Sequence, residues 1–585
     1  MVERRSFVRT LAGAMAFAPF ADSLWAASSE RPVMRVGIMS DTHIRETLDS
    51  CDRVRLAYGL FREREVDLVA HLGDLADNYY PQGYKFYRQV QDEAYAGAEK
   101  PKELFVYAGH DLINCLGKGA GIDHARLGES YELFRKALGI PNKPADIVDF
   151  RGYKFVLVPE YVNGRTHTMT FKDYERMVDE ACAATPDKPV FVLDHEPPRG
   201  TIYNSYNWGK AGSHEIFCRH PQVVSFSGHV HGSLRHDLNI WQGEYTAINA
   251  GCLQYWGGLC AASSPAAKPS FGVLTMDVYA DRLVFRRWDV RDRSEIDPEH
   301  PWIIPLPFAA ASAPYAPARR KAAEPVPAFA ADATLSVAAV GNPFSGFRLD
   351  FPQVEHAFQY RIEAQRRAKA GKWKTFTWLE IFSEFWKNPK DRTCRGEFTY
   401  RESYFDPATE YRFAISPVNQ YGVRGKPIFA KARSPEKFAK RTLLYEVKDP
   451  IRDIVFYHKG WDGRDTRHIP DADGFYGPFK TDRNFIELPA GLFKGEPKTR
   501  FRLTLDMRTI QPEDGNAWDL KFQDPTTDRH CTDRTPTPYG DSGDERYVME
   551  LVKWNLTTAD TYHVCFSWNS PGRVKFNGLK LERID

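Results

Sequence analysis

Five short clusters recur in one order through the first half of this 585-residue chain: SDTH at 40–43, GDLAD at 73–77, GHD at 109–111, DHEPP at 194–198 and GHVH at 228–231. Each stands where an apolar, β-branched run gives way to a loop. MRVGIMS leads into Asp41 and His43, VDLVAHLG into Asp74, ELFVYAG into His110, PVFVLD into His195, and VVSFSG into His229 and His231. Such runs, separated by stretches that favour helix over parts of 50–64, 83–98 and 171–184, predict buried strands of a layered α/β fold. Side chains at several strand ends of such a fold converge on one edge, where α/β proteins bind their ligands.

The residue types gathered there are donors for a hard or borderline cation. A carboxylate bridges two cations, imidazoles complete each shell, and a hydroxide held between two metals attacks well at neutral pH. A single histidine is as often a satisfied core residue as a ligand. Five ordered clusters point to a metal centre instead.

In this order the clusters resemble the calcineurin-like metallophosphoesterase superfamily, whose pattern is D-x-H, G-D-x-x-D, G-N-H-D/E, an isolated histidine and G-H-x-H. The resemblance spans about residues 34–290. It implies a four-layer α/β (α+β) sandwich of two mixed sheets flanked by helices at residues 33–304, hydrolysing phosphomonoesters or phosphodiesters with a metal-bound hydroxide. One metal would be held by Asp41, His43, Asp74 and His231, the second by Asp74, His195 and His229, with Asp74 bridging. The ions expected are two of Mn, Zn or Fe. His110 aligns with the histidine that stabilises the phosphoryl group or protonates the leaving oxygen, and Asp111 is expected to orient it. Gly109 stands where the family has a metal-ligating asparagine. That leaves three protein ligands at the second position, with Asn78 and Asn114 as nearby substitutes. It also opens an alternative, a catalytically weakened metal-binding or glycan-interacting surface protein. Asp77 occupies the place of the tyrosine of purple acid phosphatases, which disfavours a ferric-tyrosinate centre.

Arg199, after DHEPP, and the segment TIYNSYNWG with Tyr203, Tyr206 and Trp208 are candidates for holding the phosphate or its organic group. Arginine suits phosphate because its donor fork is bidentate. The alternative is an ordinary surface loop with packed aromatics. Asn249, in YTAINAGC, is read as a ligand-side or a turn residue.

Arg4 and Arg5 with Phe7 form R-R-x-F ahead of an apolar stretch from Val8 to Phe20 and small residues at Ala26 and Ala27. This looks like a twin-arginine export signal over residues 1–27, and it implies a bacterial periplasmic or extracellular protein. No later stretch reads as a membrane helix. A formal net charge of +2 gives no ground for nucleic-acid binding through global basicity. The nine cysteines form no zinc spacing and read mostly as buried thiols, with Cys252–Cys260 and Cys531–Cys565 as possible pairs. No repeat or glycine-rich phosphate loop is present.

Residues 305–333 are rich in alanine and proline and read as an extended linker or a segment draped over a neighbour. Beyond them, alternating strands predict one β-sandwich at 334–435 and another at 443–585. FDPATEYRFAISPVNQYG resembles the late strands of fibronectin type III domains, with Tyr411 as the corner tyrosine and Phe413 and Ile415 facing the core. The closing GRVKFNGLKLERI looks like the last strand of carbohydrate-binding jelly rolls, as it does of many sandwiches, and it makes a glycan or envelope polymer one candidate partner beside the phosphoester substrate. Trp461, Tyr476, Trp518, Trp554 and Trp568 are read as core packing or as sugar-stacking rings.

Overall fold

A computed structural model of the chain describes residues 31–45, 47–77, 81–111, 124–159, 169–254, 271–367, 371–387, 389–459, 465–478, 484–494, 498–511, 519–523, 535–536, 540–552, 562–567 and 572–585. The export signal, Asn78, Asn114, Cys260, Cys531, Trp461, Trp518, Trp554 and Trp568 lie outside the described residues.

The first sheet of the N-terminal domain contains β1 (Met34–Met39), β2 (Leu68–His71) and β3 (Lys102–Phe105), which run parallel. The second contains β4 (Asp146–Phe150), β5 (Tyr153–Leu157), β6 (Val190–Leu193), β7 (Val223–Ser227), β8 (Ile240–Gln242) and β9 (Thr246–Asn249), in the order β4-β5-β6-β7-β9-β8. The chain then returns to the first sheet as β10 (Gly272–Val278), β11 (Arg282–Asp289), β12 (Ser294–Ile296) and β13 (Trp302–Pro305), giving the order β12-β11-β10-β1-β2-β3 with β13 also on β11. Both sheets are mixed: β10 is antiparallel to β1, and β8 is antiparallel to β9.

Apolar side chains explain the layering. Val36, Ile38, Leu274 and Met276 from the first sheet meet Phe155, Phe191, Phe226 and Ile248 from the second. Each such side chain contributes about 1.5–3 kcal/mol when buried. Helices α1 (Asp52–Glu63), α2 (Pro81–Ala94) and α3 (His124–Leu138) pack Tyr58, Phe61, Tyr84, Tyr87 and Phe134 against Met39, Val69 and Phe105. On the other side α4 (Phe171–Ala184) packs Tyr174, Met177 and Val178 against Val156, Val190 and Val192. Its start is fixed by a capping box in which Thr170 and Asp173 satisfy each other's backbone N–H. The expected helices therefore sit between the ligand-bearing strands, as the four-layer reading requires.

The segment at 305–333 lies on its neighbours. Tyr315 accepts from Ile303 N at 2.7 Å, its own N–H reaches Gln242 at 3.0 Å, and Arg320 donates to the Asp237 carbonyl at 2.6 Å. Next come β14 (Ser336–Val340), β15 (Gly346–Pro352), β16 (Gln359–Arg367), β17 (Trp373–Phe382), β18 (Arg395–Arg401), β19 (Glu410–Val418) and β20 (Ile428–Arg433). They pair as β14-β15-β18 and β17-β16-β19-β20, two antiparallel sheets around one core. The Tyr411 hydroxyl accepts from Asp406 N at 2.8 Å, and Phe413 and Ile415 are fully buried. That hydroxyl-to-backbone bond is the geometry of a tyrosine corner.

The last domain pairs the long strands Arg500–Gln511 and Arg573–Ile584 in one sheet, and Asn484–Glu487 with His563–Ser567 in another. Phe456, Phe501, Leu503, Val564 and Phe576 fill the space between. Tyr476 is part of that core and stacks on no open face. Among the described residues no helix is long and apolar enough to cross a membrane. Cys51, Cys182, Cys218 and Cys394 are free thiols.

Candidate metal centre

The five clusters meet at one edge because β1 to β3 and β6 to β7 end side by side. Main-chain bonds tie the loops together: Asp41 N donates to Gly73 O, His43 N to Asp74 O, and Gly228 N to His195 O, at 3.0–3.2 Å. Asp41, His43, Asp74, His229 and His231 all have φ between 41° and 64°. For residues with a Cβ this region is strained by about 1–3 kcal/mol each, and such strain gathers where function requires it.

The first expected ligand set is assembled. Donors of Asp41, His43, Asp74 and His231 all lie within 4.8 Å of one another, and all four residues are buried. His231 Nε2 is 3.0 Å from Asp41 Oδ1, and His43 Nε2 is 3.2 Å from His231 Nε2 and 3.4 Å from Asp74 Oδ2. On the far oxygen of the same carboxylate, Asp74 Oδ1 is 3.4 Å from His195 Nε2, which is 3.2 Å from His229 Nδ1. Asp74 thus turns one oxygen to each histidine set, the posture of a bridging ligand.

The chemistry of these donors fits cations. His195 donates its Nδ1 proton to Leu72 O at 2.9 Å, which fixes its tautomer and leaves the Nε2 lone pair toward Asp74. Burial pushes the His43 imidazole down, and burial with the neighbouring His195 holds His229 at about 3, so both rings are neutral ligands. Burial works against the Asp41 carboxylate, but the charge and hydrogen bond of His231 bring it to about 2, and those of His195 likewise hold Asp74 well below the usual range. Two carboxylates buried side by side are costly without positive charge to pair with them, and a bound cation would supply it.

His110 lies over this set, half-buried, with Nδ1 donating to Asp77 Oδ1 at 2.8 Å. Burial disfavours its charged form, but the Asp77 hydrogen bond and the charges of Asp74 and Asp77 outweigh that and raise it above the ordinary histidine value. The orienting role expected of Asp111 therefore belongs to Asp77. Asp111 turns the other way, accepting from Leu75 N at 3.2 Å, Ala76 N at 2.9 Å and the Tyr84 hydroxyl at 3.1 Å. Burial pushes its carboxyl up to about 7 against those three donors. The reason is spacing: the short turn Gly109–Asp111 sends consecutive side chains in different directions, so the neighbour in sequence is not the neighbour in space.

At Gly109, φ is +55° and a Cβ would fall 1.9 Å from Asp74 Oδ1 and 3.0 Å from His195 Nε2. The backbone itself occupies the place of a side-chain ligand. His110 N donates to Asp74 Oδ1 at 2.6 Å, so a main-chain amide contacts the bridging carboxylate here. Gly228 is excluded from carrying a side chain in the same way, by Ser40 and Asp41 at 1.9–2.3 Å.

Of the substrate candidates, Trp208 is the ring beside the cluster: it is 52% exposed and centred 5.4 Å from His229. Tyr203 packs on His236 at 4.5 Å instead, and Tyr206 is exposed. Arg199 is exposed, with Nε donating to Gly209 O at 3.3 Å.

Several supporting residues brace the cluster, and of these only Asn249 was singled out in the sequence, where its turn reading agrees with the bonds it makes. His71 accepts from Gly73 N, passes its Nε2 proton to Thr42, and Thr42 donates to Leu75 O at 2.8 Å, which joins the first two clusters. Asn249 donates to Gly228 O at 2.8 Å and accepts from Gly251 N, bracing the turn that carries His229. Buried Lys210 pairs with Asp194 at 2.6 Å beside His195. Only a pattern of polar residues inside apolar runs could have flagged His71 and Asp194.

Residues 34–233 match the family described as calcineurin-like phosphoesterase. No curated protein matches the chain. Among solved structures, a dimetal phosphatase from Danio rerio is similar at 14% identity and a TM-score of 0.31, covering 44% of this chain and 96% of that one. A purple acid phosphatase from yellow lupin seeds is similar at 14% identity and a TM-score of 0.33, covering 45% and 52%. The N-terminal tandem CBM22 domain from Paenibacillus barcinonensis is similar at 6% identity and a TM-score of 0.16, covering 44% and 92%. The N-terminal half of this chain carries a calcineurin-like phosphoesterase domain, the domain of metal-dependent phosphoester hydrolases, at residues 34–233.

Proposed function

We propose that the protein is exported and hydrolyses phosphomonoesters or phosphodiesters at the Asp74 cluster. One observation carries this reading: the two oxygens of Asp74 face His43 and His195 at 3.4 Å each, between two histidine sets. Asp41, His43, Asp74 and His231 would hold one cation, and Asp74, His195 and His229 the other. Such a pair, Mn, Zn or Fe, would supply Lewis acidity toward phosphoryl oxygens and would lower the pKa of a water at the site toward neutrality.

The chain's own residues do the rest. Asp77 holds His110 through Nδ1, so Nε2 is the atom that gives a proton to the leaving oxygen. Trp208 offers an apolar wall for an organic leaving group, and exposed Arg199 is a candidate for holding a phosphate oxygen. Export is supported by the Arg4–Arg5 motif and the apolar stretch behind it. The two β-sandwiches would dock the enzyme on a glycan or envelope polymer.

Hydrolysis of paired aryl phosphate and bis-aryl phosphate substrates, with and without manganese, tests the reading. Turnover that needs metal and vanishes in Asp74→Ala is expected, and whichever ester turns over names the class. Gly109 favours a second reading, a metal-binding protein with little turnover. Bound metal with no hydrolysis of either ester would establish it.

A further inference from the structure

A second group of metal-type donors lies at the edge of the second sheet and shares no residue with the Asp74 centre. His214 is on the short helix Ser213–Phe217, Cys218 ends that helix, and Glu244 sits in the turn between β8 and β9. The i, i+4 spacing puts His214 and Cys218 on one helix face. Donor atoms of all three lie within 4.8 Å of one another.

The separations are those of a coordination shell. Cys218 Sγ is 3.5 Å from His214 Nε2 and 3.7 Å from Glu244 Oε2. Tetrahedral zinc, bonded at about 2.3 Å to sulfur and about 2.0–2.2 Å to nitrogen and oxygen, sets both separations at about 3.6 Å. The other imidazole nitrogen, His214 Nδ1, lies 3.1 Å from the hydroxyl of buried Tyr245. An outer partner of this kind orients a ligating imidazole. His214 and Cys218 are half-buried and Glu244 is exposed, so a fourth position faces water.

We propose that His214, Cys218 and Glu244 hold a structural zinc ion, with water as its fourth ligand. A thiolate beside imidazole and carboxylate selects a borderline-soft ion over magnesium or manganese. The ion clips together two segments that reach the Asp74 centre. The helix follows the short helix Ser205–Trp208 and Lys210, and β9 ends at Asn249, which braces the His229 turn.

Loading the reduced full-length protein with cobalt(II) tests this, because thiolate-to-cobalt charge transfer absorbs in the near ultraviolet and the Asp74 centre has no sulfur donor. The band is expected in the wild type and in Asp74→Ala, lost in Cys218→Ser and weakened in Glu244→Gln. Zinc should also raise the thermal midpoint of the wild type more than that of Cys218→Ser. Absence of the band in the wild type, or its survival in Cys218→Ser, would overturn the proposal.

Discussion

Asp77 and Asp111 are buried acids of one loop cluster with different duties, and substitution separates them. Asp77→Asn removes the charge that holds His110, so kcat should fall about 100-fold with the unfolding midpoint little changed. Asp111→Asn sets an amide donor against Leu75 N and should cost about 1–3 kcal/mol in urea denaturation. The pH sense follows from His110. Its folded value is raised above 6.5, so its charged-state interaction is complete below that pH and is lost as pH rises through the raised value. The alkaline limb of the rate profile should therefore move to lower pH in Asp77→Asn, and an unmoved limb would assign that limb to another group. Gly109 gives a third test. Grafting the family asparagine there should lower manganese affinity in calorimetric titration, because its Cβ meets Asp74 Oδ1 at 1.9 Å. A rise in affinity would show that the loop yields and that the site lost only a side chain.

The element that sets the geometry is the strand end, and it was the part most legible in the sequence. Apolar runs announced β1, β2, β3, β6 and β7, and the polar residues just past them are the ones that gather at the candidate centre, because a strand buried on both faces has little room for polar residues except where it leaves the sheet. The braces were not legible, since their partners are distant in sequence and chosen by packing. Lys210 reaches Asp194 and His71 reaches Thr42, whereas Asn249, which reaches back to Gly228, was visible only as a turn residue. Asp111 was misread for the same reason, its neighbour in sequence being His110 and its partners in space Leu75, Ala76 and Tyr84. Lys210→Met should leave the Asp194 carboxyl in the core without its cation at a cost of about 3–5 kcal/mol, with metal affinity falling through His195. Replacing Lys210 and Asp194 together by apolar residues should recover most of the stability in the same denaturation assay.

At the scale of the molecule, the chain divides into cores that share few side chains. Phe191 and Phe226 belong to the phosphoesterase domain, Phe347 and Phe413 to the middle sandwich, and Phe501 and Phe576 to the last. Polar bonds link them, including Asp237 with Gln420 at 3.0 Å and Glu402 with Arg500 at 2.7 Å. Calorimetry should therefore resolve more than one transition, and chelation should lower only the one belonging to the domain that holds Asp74. This organisation was readable from composition and alternation, whereas the seating of residues 305–333 was not, because alanine and proline carry no periodicity to say what they cover. Asp74, with one oxygen toward each histidine set, is placed to bridge two cations. Mass spectrometric metal content of manganese-loaded protein tests it most directly, since manganese avoids the thiolate site. Two ions per chain are expected in the wild type, one in His195→Ala and neither in Asp74→Ala. One ion in the wild type, unaffected by His195→Ala, would contradict it.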